Sequence, residues 1–303
     1  MAVTALTRQD RILNGILYVV LSLILAAVAY PLFFVLIASV SDPVLVNTGK
    51  VWIIPRGLTL DGYARIVQHD DLLRGYRNSL AYASVGTLLN LGLTLTAAYA
   101  LSRRDLPGRN GIMLYLTFTM FFSGGLIPTF LLIRDVGLYN TFWIMILPAG
   151  GSALHLAVSV FNIIIARTFF MNTIPQELLD AAVMDGCSDL RFFRSVVLPL
   201  SGAIVAVLMV FYAVGHWNGF FHGLIYLRER ERFPLQLILR DILIQNTFTE
   251  ELEIDDENAL AAMMLAESIK YGMIIVASVP VLILYPFVQK HYVRGVMIGA
   301  IKG

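Results

Sequence analysis

The sequence predicts an all-α, polytopic membrane protein with six transmembrane helices, and three observations carry that prediction. Of 303 residues, 58% are hydrophobic and only 14% charged, against about 25% charged in an ordinary soluble domain. Marking every Asp, Glu, Lys and Arg leaves six long charge-free stretches: Ile12–Ser41 (30 residues), Asn78–Ser102 (25), Asn110–Ile133 (24), Val136–Ala166 (31), Ser195–Leu227 (33) and Tyr271–Gln289 (19). A helix needs roughly 20 mainly apolar residues to cross the hydrocarbon core, and no other stretch approaches that length. Residues 1–303 therefore read as one transmembrane domain, with polar loops at 42–77, 167–194 and 228–270.

Taken in order, the first stretch follows Arg8 and Arg11 and holds Ala26-Ala27-Val28-Ala29, which resembles a signal cleavage site. A secretory signal has an apolar core of only about 7–15 residues, so this longer run reads as an uncleaved first helix. Its Pro31 is tolerable, because a kink inside a bundle finds other backbone partners. The loop before the second span carries Ile54-Pro55-Arg56-Gly57, a turn signal. In the third stretch, Ser123-Gly124-Gly125 followed by Pro128 reads as a bend. Ala149-Gly150-Gly151-Ser152-Ala153 in the fourth is a cluster of small residues that lets helix backbones approach closely in lipid.

Orientation follows from the short loop Ser102–Arg109, which holds Arg103, Arg104 and Arg109 against a single acid, Asp105. Basic excess in a short loop places it in the cytoplasm, and Leu106-Pro107-Gly108 breaks it. With six spans, both termini and the 167–194 loop share that side. Lys and Arg divide evenly, 11 inside and 11 outside, while the acids divide 6 and 15, giving +5 and −4. Because the basic count is even, the short loop decides.

In the 228–270 loop, Leu235, Ile238, Leu239 and Ile242 fall at helical spacing, which predicts a short amphipathic helix at the interface. Glu250–Glu257 follows as an acidic run of the solvated kind. Cys187 is the sole cysteine, so no internal disulfide is possible and no metal site is suggested. The net charge of +1 gives no reason to expect nucleic-acid binding.

The most informative segment lies in the 167–194 loop. Thr173-Ile174-Pro175-Gln176 resembles a capping box with Pro in the first turn. A short helix should follow from Glu177, with Gly186 free to take a left-handed conformation and end it. Leu178, Leu179, Ala182 and Val183 can line one apolar stripe, with Glu177 and Asp180 on the acidic side. Ala181 and Ala182 admit the groove of a second protein close to the helix backbone, and the acid can pair with a basic residue at its rim. Leu198-Pro199 is expected to end the segment and open the fifth span.

The spacing Asp180-Ala181-Ala182 … Gly186 … Val196-Val197-Leu198-Pro199 resembles the EAA loop of bacterial ABC-importer permeases, with Asp180 where the family usually has Glu. Tyr76-Arg77-Asn78-Ser79, Trp217-Asn218 and the tail Gly295 to Gly303 are similar to carbohydrate-uptake permeases related to the smaller membrane subunit of the maltose transporter. Phe122-Ser123-Gly124-Gly125-Leu126-Ile127-Pro128 and Tyr285-Pro286-Phe287-Val288-Gln289-Lys290 resemble a branch importing complex oligosaccharides, and within it the second permease subunits of alginate importers. The resemblance implies a type I ABC-importer permease fold in the bacterial inner membrane. It also implies a second homologous permease, an extracytoplasmic solute-binding protein, and two ATPase subunits that carry the ATP and Mg. The coupling residues would be Glu177, Asp180, Ala181, Ala182, Gly186, Leu198 and Pro199. By the same likeness, Asn246 to Asn258 would enter the binding protein, and Tyr212, Trp217 and Asn218 would line the substrate pathway.

Rival readings are a permease for another solute such as an amino acid, a secondary transporter, and an intramembrane enzyme. No G-x-x-x-x-G-K-[ST] phosphate loop is present, so ATP hydrolysis is expected on another chain. Six charge-free spans leave no spare segment with the mid-membrane acid or base common in secondary transporters. His155, His216 and His222 lack a spaced acid or metal-ligand partner, which argues against an enzyme.

Overall fold

In the computed structural model, residues 8–122, 124–147, 157–251 and 269–286 are described, the side chains of 245–251 excepted. Every regular element among them is helical: α1 (Arg8–Ala38), α2 (Pro43–Asn47), α3 (Asp61–Gln68), α4 (Asp70–Ser102), α5 (Arg109–Phe121), α6 (Leu126–Asp135), α7 (Val160–Thr173), α8 (Gln176–Met184), α9 (Asp189–Leu200), α10 (Gly202–Trp217), α11 (Phe220–Tyr226), α12 (Leu235–Glu251) and α13 (Ile269–Pro286). They divide into two compact units, Met1–His69 with Ile242–Ser278, and Asp70–Asp241 with Val279–Gly303.

In the first unit, α1 runs unbroken through Pro31, and its apolar side chains from Ile12 to Leu36 are largely exposed. At its end Phe34, Ile37 and Ala38 pack with Val46, Val51 and Tyr271. The Tyr63 hydroxyl donates to Ser39 Oγ at 2.8 Å.

The second unit is built around α4. Its buried residues, among them Gly75, Ser79, Tyr82, Gly86, Asn90, Thr94, Ala98 and Leu101, recur every three or four positions, one continuous helix face. Against it pack α7 and α10, in a core of Leu91, Leu95, Ala98, Ile163, Ala166, Phe170, Phe192, Val197, Leu208 and Tyr212.

Helix ends and charge-free stretches do not coincide. Among the described residues, only α1, α4 and α13 are single helices long and apolar enough to cross a membrane; α5 with α6 and α9 with α10 qualify as bent pairs, and α7 is a shorter apolar helix. α4 begins inside the predicted 42–77 loop, because Asp70 and Asp71 occupy its first turn, where the helix dipole favours acids. The predicted bend in the third span falls between α5 and α6, where Gly125 takes φ +83°. The stretch 136–166 is not one helix: Gly137 and Asn140 sit at φ +77° and +57°, and α7 continues past Arg167 to Thr173.

The fifth span needs a second correction, because Leu198-Pro199 does not open a straight helix. Pro199 has no N–H to give to the carbonyl four residues earlier. The chain widens into a π turn over Phe193–Val197, with the Leu198 N–H bonding the Phe193 carbonyl. α10 then leaves at 84° to α9.

α12 departs from expectation as well. Leu235, Leu237, Ile238 and Leu239 are 8% exposed or less, so the start of this helix is packed by protein. Gly75 makes room for it: a Cβ there would come within 2.5 Å of Ile238 and 3.2 Å of the Leu235 backbone. The acidic run beyond Glu251, most of Asn246 to Asn258, the Ala149–Ala153 cluster, Ser123, His155 and the tail from residue 287 lie outside the described residues.

Candidate functional site

Two regions of the second unit carry the candidate residues, and the first is the segment around α8, the candidate coupling segment. α7 continues to Thr173, so that residue ends one helix and cannot cap the next; the predicted capping box does not form. Pro175, extended, precedes α8 with no side-chain cap. Gln176 Nε2 donates instead to Asp180 Oδ1 at 3.2 Å, one turn on. The C-terminus behaves as predicted. Gly186 takes φ +71°, its N–H bonds the Val183 carbonyl at 3.0 Å, and the Cys187 N–H bonds Ala182 at 2.8 Å. That pair of bonds is the Schellman arrangement, which satisfies two orphan carbonyls.

The apolar stripe is split. Leu179 and Ala182, with Ile174 and Cys187, pack on the core around Phe170 and Phe192. Leu178, Ala181, Val183 and Met184 face outward, Met184 being 87% exposed, and Leu190 on α9 is 76% exposed. Hence of the two alanines Ala181 faces outward, while Ala182 lets α8 sit close on its own core. Glu177 and Asp180 are exposed. Leu198 is half-buried against the same core, and Pro199 is exposed.

Beside this segment lies a charged junction that the sequence reading used only for topology. Arg103 donates to Asp105 through Nε (2.9 Å) and Nη2 (2.7 Å), and through Nη1 to Asp189 (3.2 Å) and the Tyr99 hydroxyl (3.3 Å). The bidentate guanidinium holds Asp105 below its ordinary 3.8, at about 2, and raises Arg103 in turn. A carboxylate with a depressed value contributes stability above its ordinary value and loses it as pH falls through the depressed one. The stability gap between wild type and Asp105→Asn, read from detergent melting curves, is therefore expected to close between about pH 4 and pH 2. The gap should be small at every pH, since Asp105 is 68% exposed and solvent screens the pair.

The second region is a cavity of about 720 Å³, bordered by Ser159, Asn162, Tyr212, His216 and His222 among apolar neighbours. Its wall is a buried polar network. Asn90 Nδ2 donates to the Ala157 carbonyl at 2.9 Å, which turns Oδ1 toward His216 Nε2 at 2.5 Å; His216 Nδ1 lies 3.1 Å from the Met145 carbonyl. The Tyr212 hydroxyl pairs with Thr94 Oγ1 at 2.6 Å and accepts the Ser159 N–H at 3.2 Å. Buried polar groups left without partners cost about 1–3 kcal/mol each. Asn90→Leu, which orphans Ala157 O and His216 Nε2, is expected to lower the melting temperature in detergent, whereas Asn218→Ala should not.

Of the three pathway candidates, only Tyr212 borders this cavity. Trp217 is five residues further along α10, a rotation of about 140° at 3.6 residues per turn. It lines a separate 350 Å³ cavity with Thr87 and Pro280 and meets the Tyr76 ring edge-on at 5.6 Å. Asn218 caps α10 and is exposed. Asn90, Thr94 and Asn162 join the candidate residues only through the structure, although Gly86, Asn90 and Thr94 stand four apart on one face of a charge-free span. That was the available signal.

No family model matches the chain. Protein LplC of Bacillus subtilis is 37% identical over 273 residues, covering 90% of this chain and 89% of that protein. The polygalacturonan/rhamnogalacturonan transport system permease protein YtcP of the same organism is 36% identical, covering 97% and 100%. The chain belongs to the permeases of carbohydrate ABC importers. A crystal structure of a bacterial ABC transporter involved in the import of the acidic polysaccharide alginate has a chain that superposes on the permease with TM-score 0.82 at 30% identity, covering 94% of this chain and 98% of that one. The all-helical architecture is thus that of an ABC-importer permease, an integral membrane protein.

Proposed function

We propose that this permease forms half of the translocation pathway of an ATP-driven importer for oligosaccharides, moving them inward by alternating access. The observation that carries the reading is α8: a short helix ended at Gly186, seated on the core by Leu179 and Ala182, with Ala181, Val183 and Met184 left uncovered. A separate ATPase subunit binds ATP and Mg and receives α8 in a groove, with Glu177 and Asp180 at the rim. Leu198 and Pro199 pass its motion into α10 through the π turn and the 84° bend. A second permease completes the pathway, and an extracytoplasmic binding protein delivers the sugar. The protein resides in the bacterial cytoplasmic membrane, with both termini and α8 on the cytoplasmic side, as the arginines of 103–109 favour.

The substrate reading is an oligosaccharide of the acidic, uronate-bearing kind. It is supported by two relatives named for acidic polysaccharides, polygalacturonan and alginate, and those names favour sugar over amino acid. Uptake of labelled oligogalacturonate and oligoalginate into vesicles holding the complete importer tests it. ATP-dependent uptake competed by acidic oligosaccharides and untouched by amino acids is expected; competition by amino acids alone would refute it.

A further inference from the structure

We infer that Arg103 is a positioning residue: it pins the coupling segment to the end of α4 and sets where α8 meets the ATPase. The inference rests on the docking proposed above and adds a residue outside the docking helix.

Arg103 follows directly on α4, and two further arginines bond carbonyls at that helix end and just past it. The last carbonyls of a helix have no intrahelical partner. Here Arg167 Nε donates to the Leu101 carbonyl at 2.9 Å and Arg109 Nη1 to the Arg103 carbonyl at 3.2 Å. Arg103 itself is clamped by Asp105 and Tyr99, its side chain 18% exposed. One guanidinium nitrogen therefore reaches Asp189, at the start of α9, from a fixed base.

The segment it reaches packs on the core through Leu179, Phe192 and Phe193, but two cavities flank that packing. One cavity of about 490 Å³ opens between Arg103, Leu106, Leu190 and Phe193, and another of about 250 Å³ between Arg103, Pro175, Leu179 and Phe192. Arg103 and Tyr99 form the shared wall. Apolar contacts across such gaps resist separation but not sliding, because dispersion has no direction. The Arg103 guanidinium, held by its fork on Asp105, aims a single charged hydrogen bond at Asp189, and such a bond is directional.

α4 also holds the opposite end of the unit. Asp71 accepts from Arg230 at 2.7 Å, Ser79 Oγ accepts the Leu235 N–H at 2.8 Å, and Tyr82 donates to the Arg232 carbonyl at 2.8 Å. At 33 residues it is a rod of about 50 Å gripping residues 230–235 at one end and the coupling segment at the other. Cutting the Arg103–Asp189 link frees one grip without touching the docking face.

The purified complete importer in nanodiscs tests this, with ATPase retention and binding-protein-stimulated ATP hydrolysis as readouts. Asp189 is 77% exposed, so Asp189→Asn should fold normally. Asp189→Asn and Arg103→Gln are expected to keep the ATPase subunit at wild-type amounts yet lower stimulated hydrolysis at least fivefold. Their combination should be no worse than Arg103→Gln alone, the non-additivity expected when Asp189 acts only through Arg103. Arg103→Lys, which keeps the charge but loses the fork, should fall between. Stimulated hydrolysis within twofold of wild type in Asp189→Asn overturns the pin, as does loss of the ATPase subunit from that variant. Ala181→Arg serves as the control: if it too retains the ATPase, the docking reading falls and the pin with it. If it strips the ATPase while Asp189→Asn behaves as wild type, only the pin falls.

Discussion

Replacing Ala181 by arginine is expected to strip the ATPase subunit from the purified importer and to lower ATP-dependent uptake at least a hundredfold, with little loss of folded permease. Ala181 is exposed on α8 while its neighbour Ala182 packs inward, so the added side chain clashes only with a partner. The matching change at Ala182 acts differently. A large residue there overpacks the permease's own core, at a cost of about 1–3 kcal/mol, and should lower stability before it affects docking. Gly186→Val separates the two effects. Nothing lies within 4 Å of the new Cβ, but φ is +71°, so the penalty is purely backbone strain, about 1–3 kcal/mol. It should reshape the end of α8 and reduce ATPase retention partially. Co-purification, scored beside size-exclusion profiles of the permease, distinguishes the three.

Gly86→Leu is expected to leave no stably folded protein. A Cβ at Gly86 would sit 2.5–2.8 Å from three atoms of the His216 ring, and that ring is fixed between Asn90 and the Met145 carbonyl. Neither can give way without breaking the network, so overpacking and orphaned polar groups add to about 3 kcal/mol or more. Gly92, six residues on in the same helix, has nothing within 4 Å of its would-be Cβ. Gly92→Leu should therefore extract, elute and melt like wild type. Equal behaviour of the two variants would contradict the close α4–α10 approach.

The α8 helix and its glycine stop were legible because both depend on local chemistry: an extended residue before the helix, a left-handed one after it, and apolar side chains between. Charge-free counting found the apolar segments for a similar reason, since burying charge in lipid is costly. What it missed depends on partners distant in sequence. Arg167 lies inside α7 because its guanidinium finds the Leu101 carbonyl, and the start of α12 is buried because Gly75, 163 positions from Ile238, leaves space for it. The bend at Ser201 followed from Pro199, a local cue read instead as a helix start. Tyr212 and Trp217 border different cavities for a reason of helix geometry alone, five residues being far from a whole number of turns. The Arg103–Asp189 link joins two loops 86 positions apart, and no single-chain pattern announces such a pair.

The measurement that tests the central claim most directly is site-specific cross-linking from the tip of α8. Cys187 is the one native cysteine, so Met184→Cys in a Cys187→Ser background places a single thiol on the most exposed large side chain of the helix. In membranes expressing the whole importer, a short bifunctional reagent is expected to join this position to the ATPase subunit, and the product should change in yield when ATP is added. The same thiol placed at Tyr18, exposed on α1, should give no such product. Cross-linking from Tyr18 and not from Met184, or from neither while ATP-driven uptake persists, would contradict the account.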